Sequence, residues 1–565
     1  MKRKGVQIGI VFLLCVALNV IAYHYFFRLD LTEEKRYSLS PLTIETLRSL
    51  KKTVSVQILL EGDFPPAIKR FQTAIKGLCE QMKAYGGFNF QYQFVDPTGN
   101  KELIQFLYKN QVQGIPVNIT TEEMEQVRKW MYPIAIFRYE DQEVIVDLIR
   151  GSAGPDGQIN LLKAEQDLEY KLMSPIYRFV NTEKRIIAFL QGHGEPHPNQ
   201  LPREIIEELK TRYQVIPVYT RYGYALPNAP HFYPDSIRER LPKGKDGISV
   251  LVVLNPDSAF TEREKYEIDQ FIMRGGRVLW ILDQEKVNLQ NGPTLTELRE
   301  LNLDDLFFKY GLKVNYDLVQ DYRCGAIDLV IGFHNGPVWR SEKWIYFPMI
   351  YRFLDHPVTK NLDAVLLRYA STLDTLPRPG IHHLPFMTTS PLSRTLSGSV
   401  YVELVKDITD PPPPEVMKGK GNRIVGTEIT GYFSSLFEHR KAPTDSFAPQ
   451  PPSTPFFKRC VIPTKQIVIS DGDLLRPMLV RGKPAYIPLD NKTLFMNCLD
   501  YLAGDESLTQ IRAKEIKVRL MNRELVRTYR WWIVAFNLIT PLLLLVGVGI
   551  IYYWIRKKAF QKPWT

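Results

Sequence analysis

Gly192-His-Gly-Glu-Pro-His197 is the segment of this chain best equipped for chemistry. It follows an apolar run at 185–190, and open α/β sheets gather ligands just past the carboxyl ends of their strands. At such a place His193, Glu195 and His197 could bind a metal or shuttle a proton, and Gly192 and Gly194 would let a backbone approach a substrate. The same residues also suit a plain strand-to-helix turn, in which glycines shape the bend and the polar side chains hydrogen-bond it. Asp471-Gly-Asp473 follows a second strand-like run. Paired carboxylates can hold Mg²⁺ or Ca²⁺, but the twelve-residue ligand series of a calcium loop is absent and Asp-Gly-Asp is ordinary turn chemistry. On adjacent strands the two loops would share one crevice, which makes Gly192, His193, Glu195, Asp471 and Asp473 the candidate ligand or partner contacts. No catalytic residue and no metal-ligand set is assigned.

Other chemistries are excluded by what the chain lacks. Phosphate cradling needs G-x-x-x-x-G-K-[ST] after a strand; Gly419 and Gly421 lie in a basic, proline-flanked stretch without the terminal Ser or Thr, so ATP hydrolysis is not expected. Cys79, Cys324, Cys460 and Cys498 are scattered singly, with no C-x-x-C and no zinc spacing, and read either as buried thiols or as one or two disulfides in an oxidising compartment. The formal charge of +11 has no nucleic-acid-binding signature beside it and is concentrated in part beside two apolar segments. No cofactor is called for.

Those apolar segments lie at the two ends. Residues 5–27 and 531–554 carry no Lys, Arg, Asp or Glu, and at about 1.5 Å per residue each can cross a hydrocarbon layer of roughly 30 Å. The first run ends in Tyr23, His24, Tyr25, Phe26 and Phe27, where signal-peptide cleavage wants small residues, so an uncleaved anchor is expected. Lys2, Arg3 and Lys4 before it and Arg556, Lys557 and Lys558 after the second place both termini in the cytoplasm and the long middle on the exported side. Arg519, Arg523, Arg527 and Arg530 crowd the opposite flank, but a segment this long is translocated largely regardless of charge. Within the spans Asn19, Asn537 and Pro541 are candidate helix-contact positions, because a polar or helix-disturbing residue in lipid costs less when another helix satisfies it.

Between the spans, 45% hydrophobic and 24% charged residues give ordinary globular statistics. Ser40 and Pro41 suit the start of a helix to about Leu50. Residues 54–150 read strand, helix, strand, helix, strand, strand, the last two joined across Glu140-Asp-Gln142. That order is similar to the thioredoxin-like fold, here a domain over 28–150, and the resemblance implies a cis peptide before Pro133; the thiol pair of a thioredoxin is missing from the loop Glu61-Gly-Asp-Phe-Pro-Pro66, so an interaction module is expected rather than a reductase. Residues 151–183 read as a helical bridge. Runs at 185–190, 249–254 and 277–282 are apolar at every position after the first and separated by helices, the pattern of a parallel sheet covered on both faces, here a doubly wound α/β domain over 184–490. Residues 302–465 form a long insertion before the chain returns at about 466–470; 411–414 and 443–455 read as exposed proline-rich loops. A helical juxtamembrane segment at 491–530, the second span at 531–555 and a cytoplasmic tail at 556–565 complete the order, after a cytoplasmic tip and first span at 1–27.

Several stretches carry a family resemblance. Asp30-Leu-Thr32 with Lys35-Arg-Tyr-Ser-Leu-Ser40, then Ala188-Phe-Leu-Gln-Gly-His-Gly-Glu195, the stretch from Lys265 to Trp280, Asn302-Leu-Asp-Asp-Leu-Phe307, Tyr310-Gly-Leu-Lys-Val-Asn315, Ile469-Ser-Asp-Gly-Asp473 and Ile511-Arg-Ala-Lys-Glu-Ile516 resemble the GldG family. That family comprises auxiliary, so-called substrate-binding, subunits of the ABC transporter associated with bacterial gliding motility. The resemblance implies a non-enzymatic, inner-membrane subunit with a periplasmic body, acting with a separate permease and a separate cytoplasmic ATPase. The auxiliary domain also looks like class I glutamine-amidotransferase folds, but the corresponding elbow reads Asn255-Pro-Asp257 with no nucleophilic thiol. The competing expectation is a membrane-tethered periplasmic enzyme or ligand-binding protein using the loops around His193 and Asp471.

Overall fold

The computed structural model describes residues 38–504, except 110–111, 113, 121–125, 150–160, 181–183, 224, 229–246, 290–291, 334–335, 360–361, 451, 453–454, 485–486 and 489, together with residues 529–560. The fold is mixed α/β, and the chain divides into a body, residues 37–514, and a second unit made of residues 1–36 and 515–565. The expected first span with Asn19, and the arginine-rich stretch at 505–528, lie outside the described residues.

The body opens with α1 (Pro41–Arg48). Ser40 caps it as its composition suggests: the hydroxyl accepts from Thr43 N at 3.2 Å, and Pro41 occupies a first-turn position where its missing N–H is harmless. β1 (Val54–Ile58) and β2 (Phe90–Phe94) run parallel, joined by α2 (Pro66–Gly86), which buries Ile68, Phe71, Ile75, Cys79 and Met82 at helical spacing. After α3 (Lys101–Lys109) comes a separate hairpin of β3 (Ile115–Thr120) and β4 (Gln126–Met131). β5 (Ile134–Tyr139) and β6 (Gln142–Asp147) then turn back on each other through Glu140 and Asp141, Glu140 taking a φ of 51°. The sheet order is β2-β1-β5-β6, with β5 antiparallel to both neighbours.

The cis peptide expected at Pro133 is corrected by the structure, which has no cis bond among the described residues. Pro133 centres a tight turn between β4 and β5 in which Ile134 N donates to Tyr132 O at 2.8 Å, a geometry open to the intrinsically favoured trans form.

α4 (Leu161–Gln166) and α5 (Leu168–Val180) follow. Glu169, buried on α5, accepts from Ser40 N at 2.6 Å and from the Thr43 hydroxyl at 2.9 Å, so α5 fixes the entrance of α1.

The second sheet has nine strands. Its parallel part uses β7 (Ile186–Gln191), β8 (Gln214–Tyr219), β9 (Ile248–Leu254) and β10 (Arg277–Ile281), with helices α6 (Arg203–Arg212) and α7 (Glu262–Met273) interleaved. Residues 302–465 add strands to this same sheet: β11 (Leu312–Val314), then, beyond a long hairpin of β12 (Cys324–Phe333) and β13 (Pro337–Ile350), β14 (Leu373–Thr375), β15 (Ile381–Thr388) and β16 (Ile424–Gly431). β17 (Thr464–Ile469) returns parallel to β10, and the order reads β11-β14-β16-β17-β10-β9-β7-β8, with β15 also paired to β16. β16 is antiparallel to β17.

Runs that are apolar at every position are explained by the two cores they feed. Ile187, Phe189, Val250, Val252, Leu279 and Ile467 meet Ile205 of α6 and Phe495 of α8 (Asn491–Leu502) on one face. Ala188, Leu190, Leu251, Val253, Trp280 and Val468 meet Ile268, Phe271 and Ile272 of α7 on the other. Each such side chain contributes roughly 1.5–3 kcal/mol by leaving water. The far side of α7 is covered as well: Asp269 accepts from the Ser435 hydroxyl at 2.6 Å and Leu436 N at 2.9 Å, and Gln270 accepts from Phe457 N at 2.8 Å. The intervening 443–450 is mostly exposed; of the other proline run, Pro414 begins a four-residue helix, at the first position where proline is tolerated. Cys79, Cys324, Cys460 and Cys498 are all free thiols, and all but Cys324 are buried.

In the second unit α9 (Arg530–Phe560) is long and apolar enough to cross a membrane. Asn537 and Pro541 lie exposed on it.

Candidate functional site

The carboxyl edge of the parallel strands carries the candidate loops. Gly192, with a φ of 127°, turns the chain out of β7, and His193 folds back beneath it, 2% exposed. Its Nδ1 lies 3.1 Å from Glu195 Oε1 and its Nε2 lies 3.1 Å from Glu264 Oε2. The ring stacks on Phe260 with centroids 3.8 Å apart. Its own N–H donates to Glu195 Oε2 at 2.6 Å, and its carbonyl accepts from Asp257 N at 2.6 Å and Ser258 N at 3.1 Å. Glu264 is fixed in turn by a capping box at the start of α7, where Thr261 N donates to Glu264 Oε2 at 2.8 Å and the Thr261 hydroxyl accepts from Glu264 N at 3.2 Å.

Burial by itself pushes the His193 imidazole down, but hydrogen bonds and charge from Glu195 and Glu264 outweigh it and raise the group to about 9. For Glu264 burial acts upward and the hydrogen bond to His193 wins, holding the carboxylate below its usual range. At neutral pH the site is therefore an imidazolium locked between two carboxylates. An imidazolium has no free ring lone pair and so cannot act as a general base. His197 does not join it: its Nδ1 accepts from Asn199 N at 3.2 Å and its N–H donates to Gln200 at 3.0 Å, capping a short 3₁₀ turn. Among the described residues no group of three His, Cys, Asp or Glu side chains could hold a metal ion.

The Asp471 loop leaves β17, which is separated by β10 and β9 from the strand that carries His193, so the adjacency that would give one shared crevice is not found. Asp471 is fully buried; its Oδ2 accepts from Arg368 N at 3.0 Å and its Oδ1 from Asp473 N at 2.8 Å. Gly472 N donates to Asp283 Oδ2 at 2.9 Å, and Arg299 Nη1 lies 3.3 Å from Asp283 Oδ1. The guanidinium also donates to Asn255, at the end of β9, and to Pro256 O at 3.2 Å, and its Nε lies 3.8 Å from Asp257. Burial pushes Asp283 up to about 7, against Arg299 and with help from Asp473. Burial, with the charges of Asp473 and Asp283, puts Asp471 well above the usual carboxylate range. Asp473 is half-buried and ion-pairs with Arg476 at 3.2 Å.

The structure thus joins the two loops through a relay, Asp257 to Arg299 to Asp283 to Gly472. Sequence reading missed Glu264, Arg299, Asn255 and Arg368. Thr261-Glu-Arg-Glu264 is a readable capping signature, but nothing local says that its glutamate reaches His193. Asn537 and Pro541 belong to the second unit, on α9.

A family model for an ABC-type uncharacterized transport system matches residues 184–498, and a second, described as a domain of unknown function (DUF7088), matches residues 33–138. An uncharacterized protein of Borreliella burgdorferi is 19% identical over 546 residues, covering 94% of each chain. Among solved structures, the mmIFT52 N-terminal domain is similar at 12% identity over 59% of this chain and 100% of its own, with a TM-score of 0.30, too slight a likeness to argue from. The first match takes in more than half of the chain and every residue of the carboxyl edge described above, and on it the chain belongs to the auxiliary family of ABC-type uncharacterized transport systems.

Proposed function

We propose that the protein is a non-enzymatic auxiliary subunit of an ABC transporter of the GldG, gliding-associated kind, working with a separate permease and a separate cytoplasmic ATPase. Its body stands on the periplasmic side of the inner membrane, held by spans at 5–27 and 531–554. The observation that carries this reading is the sealed state of the carboxyl edge. His193 has both ring nitrogens against carboxylates, and Asp471 is buried with both oxygens accepting backbone N–H groups, so the groups that suggested chemistry are spent on holding loops together. The strand order β2-β1-β5-β6 supports a thioredoxin-like N-terminal domain serving as an interaction module, and five adjacent parallel strands support a doubly wound auxiliary domain.

The test is affinity isolation of the full-length chain from membranes. Co-isolation of a permease and an ATPase is expected, and their absence would sink the proposal. Replacing His193, Glu195 and Asp471 together separates the alternative, a tethered enzyme or ligand-binding protein. That alternative requires lost activity with the complex and the fold intact, whereas a scaffold loses stability first. Reporters fused after Lys35 and after Lys558 test the topology.

A further inference from the structure

The β12–β13 hairpin carries an apolar tip. Val330, Ile331 and Phe333 on one strand are 42%, 52% and 83% exposed, and Val338 on the other is 40% exposed. The small hairpin Leu479–Val480 with Lys483–Pro484 lies against it: Arg481 N donates to Asp328 Oδ2 at 3.2 Å, and a Cβ placed on Gly482 would come within 3.2 Å of Trp339. Leu479 and Val480, 51% and 41% exposed, extend the same patch. An apolar cluster of this kind, at the end of an extended hairpin, marks a surface that meets something other than water.

Charge says what. Arg340, Lys343, Arg481 and Lys483 are exposed around the tip; Glu342 is paired with Arg340, and Asp328, which accepts the Arg481 backbone N–H, offsets one more charge, so a positive excess is left on Lys343, Arg481 and Lys483. Exposed apolar side chains ringed by lysine and arginine match an anionic bilayer surface, where the rings and branches enter the acyl boundary and the cations meet phosphates. Strand addition by a second copy is disfavoured, because the ladder is broken by a bulge between Val330 and Gly332 that spoils the edge a partner strand would need.

We propose that the β12–β13 tip dips into the headgroup region of an anionic membrane, giving the body a contact with lipid separate from its anchoring helix. This rests on the reading of α9 as a membrane span, which puts a bilayer within reach of the chain.

The test places a nitroxide at Ile331→Cys, at Phe333→Cys and, as a control on α2, at Lys76→Cys, each in a full-length chain carrying Cys15→Ser and Cys324→Ser and reconstituted in vesicles. Collision with oxygen is compared with collision with a water-soluble nickel chelate, in neutral vesicles and in vesicles with about 30% phosphatidylglycerol. The two tip labels should favour oxygen in the anionic vesicles and the control label should not. Replacing Arg481 and Lys483 by glutamine should lower the inserted-to-free ratio by about fivefold per charge. Tip labels that stay open to the chelate in anionic vesicles overturn the proposal, as does protection that ignores lipid charge and vanishes when the protein is diluted among more vesicles, the mark of a second copy. Release of the chain by alkaline carbonate would sink the span reading instead. The labels are then read on chain added to the same vesicles, where open labels still overturn the hairpin contact by themselves.

Discussion

Replacing His193 by glutamine removes the cation between Glu195 and Glu264 while leaving a side chain that can hydrogen-bond both. A rise of the imidazole from 6.5 to about 9 on folding corresponds to about 3 kcal/mol of stability carried by the bound proton. The folded value is the higher one, so this contribution is complete below about pH 6.5 and disappears as pH climbs through about 9. Wild type and His193→Gln should therefore differ by about 3 kcal/mol at pH 6, by about 1 kcal/mol at pH 8 and by little at pH 10. Two carboxylates left facing each other in the buried loop add to the deficit at low pH only if both stay ionised.

The measurement is urea unfolding of the full-length chain in detergent, wild type and variant side by side from pH 6 to pH 10. The difference between the two curves matters, because other groups titrate in both proteins. A gap that does not shrink with rising pH refutes the clamped imidazolium, and so does a variant as stable as wild type at pH 6.

Thr261→Ala should cost about 1 kcal/mol by removing the cap of α7, and it should also lower the His193 titration midpoint seen by NMR, since Thr261 holds Glu264 in place. Asp283 is raised to about 7, so the stability it carries is complete below about pH 3.8 and lost as pH passes 7; Asp283→Asn should flatten the fall in stability between pH 5 and pH 8, and an unchanged slope would assign that fall elsewhere. A Cβ on Gly472 runs into Asn255 Oδ1 and comes within 3.1 Å of Asp283, so Gly472→Ala should destabilise by about 1–3 kcal/mol in chemical unfolding, whereas Gly77→Ala, within α2 and with open space around the added Cβ, should be neutral or stabilising.

How far the fold can be read from sequence depends on how local its causes are. The runs at 185–190, 249–254 and 277–282 announce buried parallel strands because burial on both faces favours an unbroken apolar run, and Ser40-Pro41 announces a helix because the capping hydroxyl and the N–H that donates to it are three residues apart. The β3–β4 hairpin escapes that reading: Pro116 interrupts one strand pattern, and Arg128 and Lys129 interrupt the other, so neither shows clean alternation. The strands added by residues 302–465 escape for another reason. β16 is joined to the sheet by register with β17, and register between segments dozens of residues apart leaves no local mark.

The same distinction governs the candidate site. Gly192-His-Gly-Glu195 looks the same on paper whether its polar atoms await a ligand or face one another, because residue type fixes what a group can donate or accept and strand order fixes what it meets. Here β9 follows β7 in the sheet, which brings Asp257 under the His193 carbonyl and sets α7 with Glu264 against the ring. Two further strands, β10 and β17, must be crossed before Asp471 is reached, and the gap is closed by Arg299, whose guanidinium touches Asn255 and Asp283 and lies near Asp257. Coupling between the two loops accordingly depends on Arg299, from a segment that shows no motif at all, together with the close approach of Asn255 to Gly472. Arg299 therefore ties the two loops of the carboxyl edge to each other through ion pairs and hydrogen bonds, an arrangement in keeping with the auxiliary role proposed above.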